Sequence, residues 1–254
     1  ALILFGILLY GCGDSPGERE YKRGIRELEQ GELVPARTWL ERSISKRPGS
    51  SANAAAYNAL GLACLRLGDV DDALEAFQEA RRLDDRYAAP AYNLGWIEEQ
   101  GGDTFRAATL YNEAAQADPR TTAALERLAA MLLEEGRWEE ARRTLESALE
   151  RQPASPRILT AIGVVELAAG KHQRAVDNWM RALDANPEYA AALYNLASVY
   201  AEVLDVPEEA RHFAGRYLEV EPQGSRSEAM SRLVAQQSEA GEEEPPQPPT
   251  GGAE

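Results

Sequence analysis

Side chains in this chain recur every 34 residues, and that period constrains the fold more than any other feature. Gly68, Gly102, Gly136 and Gly170 keep it, as do Ala73, Ala107, Ala141 and Ala175, and again Ala80, Ala114, Ala148 and Ala182. Pro119, Pro153 and Pro187 hold a fourth register, and Leu60, Leu94, Leu128, Ile162 and Leu196 a fifth. A self-similar period of roughly 20–50 residues marks supersecondary units that bury their apolar faces only by stacking on one another. Inside each unit the apolar spacing is helical, as at Leu125, Leu128 and Leu132.

The registers divide the chain into units 17–50, 54–87, 88–121, 122–155, 156–189 and 190–224. Each reads as two antiparallel helices, A and B. The periodic glycine supplies a positive φ past the end of helix A. The periodic alanines let helix B approach closely, and the proline stops helix B. Pro35 and Pro207 instead fall where a helix B begins, a position that tolerates proline. The sixth unit carries an extra residue near 203–206 and lacks the turn glycine. Ala214 stands in its large slot and Tyr217 in a small one, which we read as an exchange of volume.

The slots resemble the tetratricopeptide repeat, W-x₂-L-G-x₂-Y followed by A-x₃-F and P. In 54–87 they hold Tyr57, Leu60, Gly61, Cys64, Ala73, Phe77 and Ala80. In 88–121 they hold Ala91, Leu94, Gly95, Glu98, Ala107, Tyr111, Ala114 and Pro119. In 156–189 they hold Leu159, Ile162, Gly163, Glu166, Ala175, Trp179, Ala182 and Pro187. The resemblance implies an all-α, right-handed superhelical solenoid of helix-turn-helix repeats. Residues 225–240 then read as a capping helix, with Met230, Leu233 and Val234 as a narrow apolar stripe over the last repeat. Residues 241–254 hold four glutamates, four prolines and no basic residue, a composition expected to be disordered.

The N-terminus has a different character. Residues 1–12 read as the apolar region of a signal peptide, about half of the roughly 20 residues that a spanning helix needs. The chain begins at Ala1, with neither Met nor a basic leader, so we expect the natural start to lie upstream. Leu9-Tyr10-Gly11-Cys12 resembles a bacterial lipobox, and residues 13–16 form a short polar linker behind it. The resemblance implies a diacylglycerol thioether on Cys12, anchoring the chain at a cell envelope. In such lipoproteins an Asp after the Cys favours the inner membrane, so Gly13 implies the periplasmic face of the outer membrane.

Composition narrows the function further. Lys and Arg number 27 against 42 Asp and Glu, a net charge of −15. Nucleic acid is not expected as a partner, because phosphate binding needs a basic face. Two histidines and two cysteines are too few for a Cys/His zinc site. No phosphate-cradling loop or nucleophile elbow is present. We therefore expect no metal, no cofactor and no enzymatic activity. Cys64 reads as a small buried hydrophobe, and His172 and His212 as solvated residues. Glu98 and Glu166 replace a tyrosine of the repeat, and each must reach water or accept hydrogen bonds.

The informative surface is helix A, which in the family lines a concave peptide-binding groove. Its fifth slot gives Tyr21, Tyr92 and Tyr194, and its ninth Ile25, Leu62, Trp96 and Val164. The twelfth gives Leu65, Leu133 and Leu167. This aromatic and apolar stripe suits a peptide segment from a membrane-proximal protein partner. The clamp by which chaperone-binding members hold a carboxylate is not expected. Asn93 and Arg127 match it, but Asn58, Leu62 and Ala123 do not. In layout the chain resembles the pilotin-type lipoproteins of type IV pilus biogenesis. The second reading is a regulatory or adaptor subunit of an envelope polysaccharide or peptidoglycan synthesis complex. With its natural start restored, the protein should incorporate a palmitate analogue in vivo, and Cys12→Ala should abolish the label; a label that survives the substitution refutes the anchor.

Overall fold

The computed structural model describes residues 15–240. The apolar run with Cys12, the first two linker residues and the acidic tail from Gly241 lie outside the described residues. Among those described are thirteen α-helices, one 3₁₀ turn (Ser51–Asn53) and no strand. The fold is an all-α solenoid of tandem helix-turn-helix repeats, in two compact units that meet in sequence at Gln152 and Pro153.

The N-terminal unit holds α1 (Glu18–Glu29), α2 (Leu33–Ser45), α3 (Ala54–Leu67), α4 (Val70–Leu83), α5 (Ala88–Gln100), α6 (Thr104–Ala117), α7 (Ala123–Glu134) and α8 (Trp138–Arg151). The C-terminal unit holds α9 (Pro156–Ala168), α10 (His172–Ala185), α11 (Ala190–Glu202), α12 (Pro207–Val220) and α13 (Ser227–Ala240). Odd-numbered helices α1 to α11 are A helices, each packed on the B helix that follows. Within the first unit α2 also packs on α3, α4 on α5 and α6 on α7; within the second, α10 packs on α11 and α12 on α13.

The A–B turns close in one way. Gly31, Gly68, Gly102, Gly136 and Gly170 have φ between +72° and +92°. The next residue then donates its N–H five residues back: Asp69 to Cys64 O at 2.9 Å, Asp103 to Glu98 O at 2.9 Å, Lys171 to Glu166 O at 2.8 Å. This closure satisfies carbonyls that the helix end would otherwise leave open. In the sixth repeat, where glycine is missing, Asp205 takes the left-handed conformation at φ +54°.

Inside each hairpin the periodic alanines Ala73, Ala107, Ala141 and Ala175 are fully buried, as are Ala80, Ala114, Ala148 and Ala182. The glycine in mid-helix A faces a large side chain of helix B. A Cβ on Gly61 would lie 2.6 Å from the Phe77 ring, and one on Gly163 only 2.3 Å from Trp179 Nε1. In the fourth repeat Ala129 replaces the glycine and Leu145 replaces the aromatic ring. The sixth repeat pairs Ala197 with Ala214 and recovers the volume nearby. Phe213 and Tyr217 are buried, with the Phe213 ring 5.8 Å from Tyr200 and the Tyr217 ring 6.0 Å from Tyr194. On the capping helix Met230 is buried and Leu233 half-buried, whereas Val234 is exposed and leaves the expected stripe.

Trp179 is held in place, since its Nε1–H donates to Thr160 O at 3.1 Å. It cannot easily yield to an added methyl group. Gly163→Ala should therefore destabilise the C-terminal unit by about 1–2 kcal/mol, the overpacking cost outweighing alanine's better helix propensity. Urea unfolding followed by tryptophan fluorescence checks this; a variant at least as stable as wild type contradicts it.

Candidate functional site

The A-helix face of the N-terminal unit is built around α5. Trp96 is half-buried there. One turn earlier Tyr92 is buried, its ring 5.4 Å from Tyr111 of α6, so it backs the face rather than forming it. One turn later stands Glu99. Its carboxylate accepts the Tyr111 hydroxyl at 2.6 Å and the Arg127 guanidinium of α7. Burial pushes Glu99 up, but the bonds from Arg127 and Tyr111 outweigh it and hold the carboxyl below its ordinary value. Burial, together with the hydrogen bond to that anion, pushes the Tyr111 hydroxyl up.

A second polar contact joins α3 to α5. Asn93 donates to Asn58 Oδ1 at 3.0 Å, and Asn58 donates to the Tyr87 hydroxyl at 3.2 Å. Both asparagines are fully buried. These two links tie α3 to α5 and α5 to α7, on the helix that carries Trp96. They also account for the two residues that matched the carboxylate clamp, since Asn93 and Arg127 are both engaged by neighbouring repeats.

The expected stripe divides when placed on the structure. Leu62 is buried in the core with Phe77 and Leu94, and Tyr92 is buried as described, so neither is presented on the face. Side chains of helix B of the same hairpin, Phe77 and Tyr111, and for Leu62 also Leu94 of the next repeat, pack against them. Tyr21, Ile25 and Leu65 are half-buried and pack against the same core, and Leu133 is half-buried on α7. In the C-terminal unit Val164 is 37% exposed and Leu167 half-buried. Tyr194 is half-buried beneath Arg226, whose guanidinium carbon lies 4.2 Å from the ring centroid. That cation–π contact occupies the ring face which the stripe would have offered. Cys12 lies outside the described residues.

The remaining polar residues have structural partners or solvent. Glu98 is half-buried, with Arg106 at 3.8 Å. Glu166 is buried, with Lys171 of its own turn at 3.7 Å and Arg174 at 4.0 Å. Cys64 is buried, where burial raises its thiol pKa. His212 is exposed and His172 half-buried. Among the described residues no group of three or more His, Cys, Asp or Glu could hold a metal ion. Among them, too, no helix is long and apolar enough to cross a membrane. Reading slots one repeat at a time missed the Glu99–Arg127–Tyr111 trio. Its only sequence signal is a carboxylate and a guanidinium 28 positions apart in successive repeats.

Models of the tetratricopeptide repeat match residues 21–88, 59–120 and 160–214, and a second model of that description matches 98–163. The chain belongs to the tetratricopeptide repeat family. As a TPR protein it is a protein-interaction scaffold. A curated relative is a probable UDP-N-acetylglucosamine–peptide N-acetylglucosaminyltransferase, SPINDLY, of Hordeum vulgare. It is 29% identical over 132 residues, 52% of this chain but only 11% of that protein's length. PilF of Pseudomonas aeruginosa aligns over 85% of this chain and 97% of its own, with 17% identity and a TM-score of 0.66. MamA of Desulfovibrio magneticus RS-1 aligns over 68% and 97%, with 24% identity and a TM-score of 0.55. YrrB, described as a TPR protein with an unusual peptide-binding site, aligns over 69% and 89%, with 19% identity and a TM-score of 0.52. At these identities the structures share the TPR fold.

The Glu99 side chain is 15% exposed with Arg127 in place, and without that guanidinium its carboxylate keeps the bond from Tyr111. Arg127→Ala should destabilise the N-terminal unit by about 1.5–3 kcal/mol at neutral pH, the range for hydrogen bonds to charged groups. Because Glu99 is shifted down in the folded state, its stabilisation is complete above the unfolded carboxylate value. It is lost as the pH falls through the lowered folded value. The gap between wild type and variant in urea unfolding should therefore be smaller at pH 3 than at pH 7; equal gaps at both contradict the ion pair.

Proposed function

We propose that this protein is a lipid-anchored scaffold or assembly factor of a bacterial envelope. In this reading the A-helix face around Trp96 holds a peptide segment of a protein partner. The observation that carries it is Trp96 itself, a large aromatic residue only half-buried on a helix tied by polar links to α3 and α7. A rigid backing lowers the ordering cost of binding, and an indole on such a backing is the side chain that most often dominates an interface.

The anchor rests on the lipobox resemblance of Leu9 to Cys12. From Cys12 to Glu18, where α1 begins, is six residues, at most about 20 Å of extended chain. Anchored there, the first repeats work close to the membrane, and a membrane-proximal partner segment follows. The net charge of −15 favours a neutral or basic segment. Among envelope pathways pilus biogenesis comes first, supported by the pilotin-like layout and by a PilF alignment over 97% of that chain.

The test is affinity for the partner recovered from envelope extracts by pulldown and mass spectrometry. Trp96→Ala should weaken binding by about 2 kcal/mol or more while moving the melting temperature little. Unchanged affinity with a lowered melting temperature makes Trp96 a packing residue and removes the groove.

A further inference from the structure

Four large apolar side chains stand outside both the core and the Trp96 face. Val34 is 63% exposed, Val70 42%, Phe105 82% and Trp138 43%. Each is the first or second residue of a B helix of the N-terminal unit: α2, α4, α6 and α8. They therefore come one per repeat along the same edge, the one that carries the A–B turns. Arg37 shows that successive B helices bring these ends side by side, since it reaches from α2 to Asp69 at 3.0 Å and Asp72 at 2.8 Å beside α4. A scattered exposed valine is ordinary, but one such residue in each of four successive repeats, first in the helix in α4 and α8 and second in α2 and α6, two of them aromatic, gives this edge a recurring apolar character of the kind that marks an interaction site.

The charge around the patch selects its occupant. Asp69, Asp71 and Asp72 surround Val70, and Glu139 and Glu140 follow Trp138 directly. Arg26 and Arg66 lie in the last turns of α1 and α3, and three further arginines of the edge are each already held by carboxylates. Arg37 pairs with Asp69 and Asp72, Arg106 with Glu98 and Asp103, and Arg137 with Glu135 and Glu140. The edge thus offers apolar contact inside an acidic surround. An anionic lipid surface is repelled by it. A segment with apolar side chains on one face and lysine or arginine on the other fits both features.

We propose that the turn edge of the N-terminal unit is a second docking surface, which takes a basic amphipathic segment of a protein partner. Val34, Val70, Phe105 and Trp138 supply the apolar contact, and the aspartates and glutamates beside them select positive charge. This site is separate from the Trp96 face and does not depend on it or on the lipid anchor.

The probe is a synthetic amphipathic helix of leucine and lysine, compared with its leucine and glutamate counterpart and with phosphatidylglycerol-containing and purely zwitterionic vesicles. The full chain should bind the lysine peptide in a salt-sensitive manner and bind neither the glutamate peptide nor either vesicle. Phe105→Ser combined with Trp138→Ser changes only exposed positions. It should weaken lysine-peptide binding at least tenfold without altering the circular dichroism spectrum or melting curve. Trp96→Ala should leave that binding unchanged, so failure of the groove reading and failure of this one are told apart. Four results overturn the proposal: no binding of the lysine peptide, equal binding by the double variant, binding to vesicles in place of peptide, or a dimer of the wild-type chain that the double variant abolishes.

Discussion

Each hairpin of this protein depends on one contact, a glycine or alanine in the middle of helix A pressed against a side chain of helix B. Where the A residue is Gly61, Gly95 or Gly163 the B residue is Phe77, Tyr111 or Trp179, and the ring fills the space that a Cβ would need. Where it is Ala129, the B residue shrinks to Leu145. In the first repeat Gly24 meets Leu40, so the small residue of helix A is the recurring half of the contact while its partner ranges from leucine to tryptophan. The fit is close because interiors are close-packed and tolerate neither voids nor excess volume. The alanines on either side of the large residue, such as Ala73 and Ala80 around Phe77, are buried for the same reason.

Once the hairpins are closed, their stacking decides which residues meet a partner. Stacking is apolar for the most part, but polar links also cross it in the N-terminal unit, among them Asn58 to Asn93, Glu99 to Arg127 and, nearer the surface, Arg37 to Asp69 and Asp72. A buried amide pair or a half-buried ion pair adds little net free energy, since desolvation offsets much of what the bonds contribute. Its effect is on register: a slip between repeats would leave a buried amide or carboxylate unsatisfied, which is costly. The helix that carries Trp96 is thereby held in one arrangement. On the proposed reading, a surface held this way takes up a peptide without first being ordered by it.

The same stacking produces the turn edge. One residue separates the turn glycine from helix B, so a side chain at the first or second position of that helix that does not turn in toward the core, as Leu33 does, projects at the edge. In the N-terminal unit those positions hold Val34, Val70, Phe105 and Trp138. In the C-terminal unit they begin with His172 and Pro207 instead. The repeat dictates where such residues stand and leaves their identity free, which is how one architecture carries different surfaces.

The 34-residue period was enough to establish the helix pairs, their glycine turns, the tight alanine slots and the repeat family, because each is a local requirement written into one unit. The exchange of Ala214 and Tyr217 was legible for the same reason, with Tyr217 buried where other repeats have alanine. The groove was legible only in outline. Leu62 and Tyr92 stand in slots equivalent to Trp96 and Tyr21, yet they are buried while those two are half-buried. Tyr194 is covered by Arg226, which comes from a segment after the last repeat. For Glu166 the sequence left open water or a partner, and only the structure decides: the carboxylate is buried, with Lys171 and Arg174 of its own hairpin beside it. Exposure in a repeat protein depends on the size and direction of side chains in the adjoining repeat. A residue's slot records its place within a unit, and only the stacked structure determines what covers it.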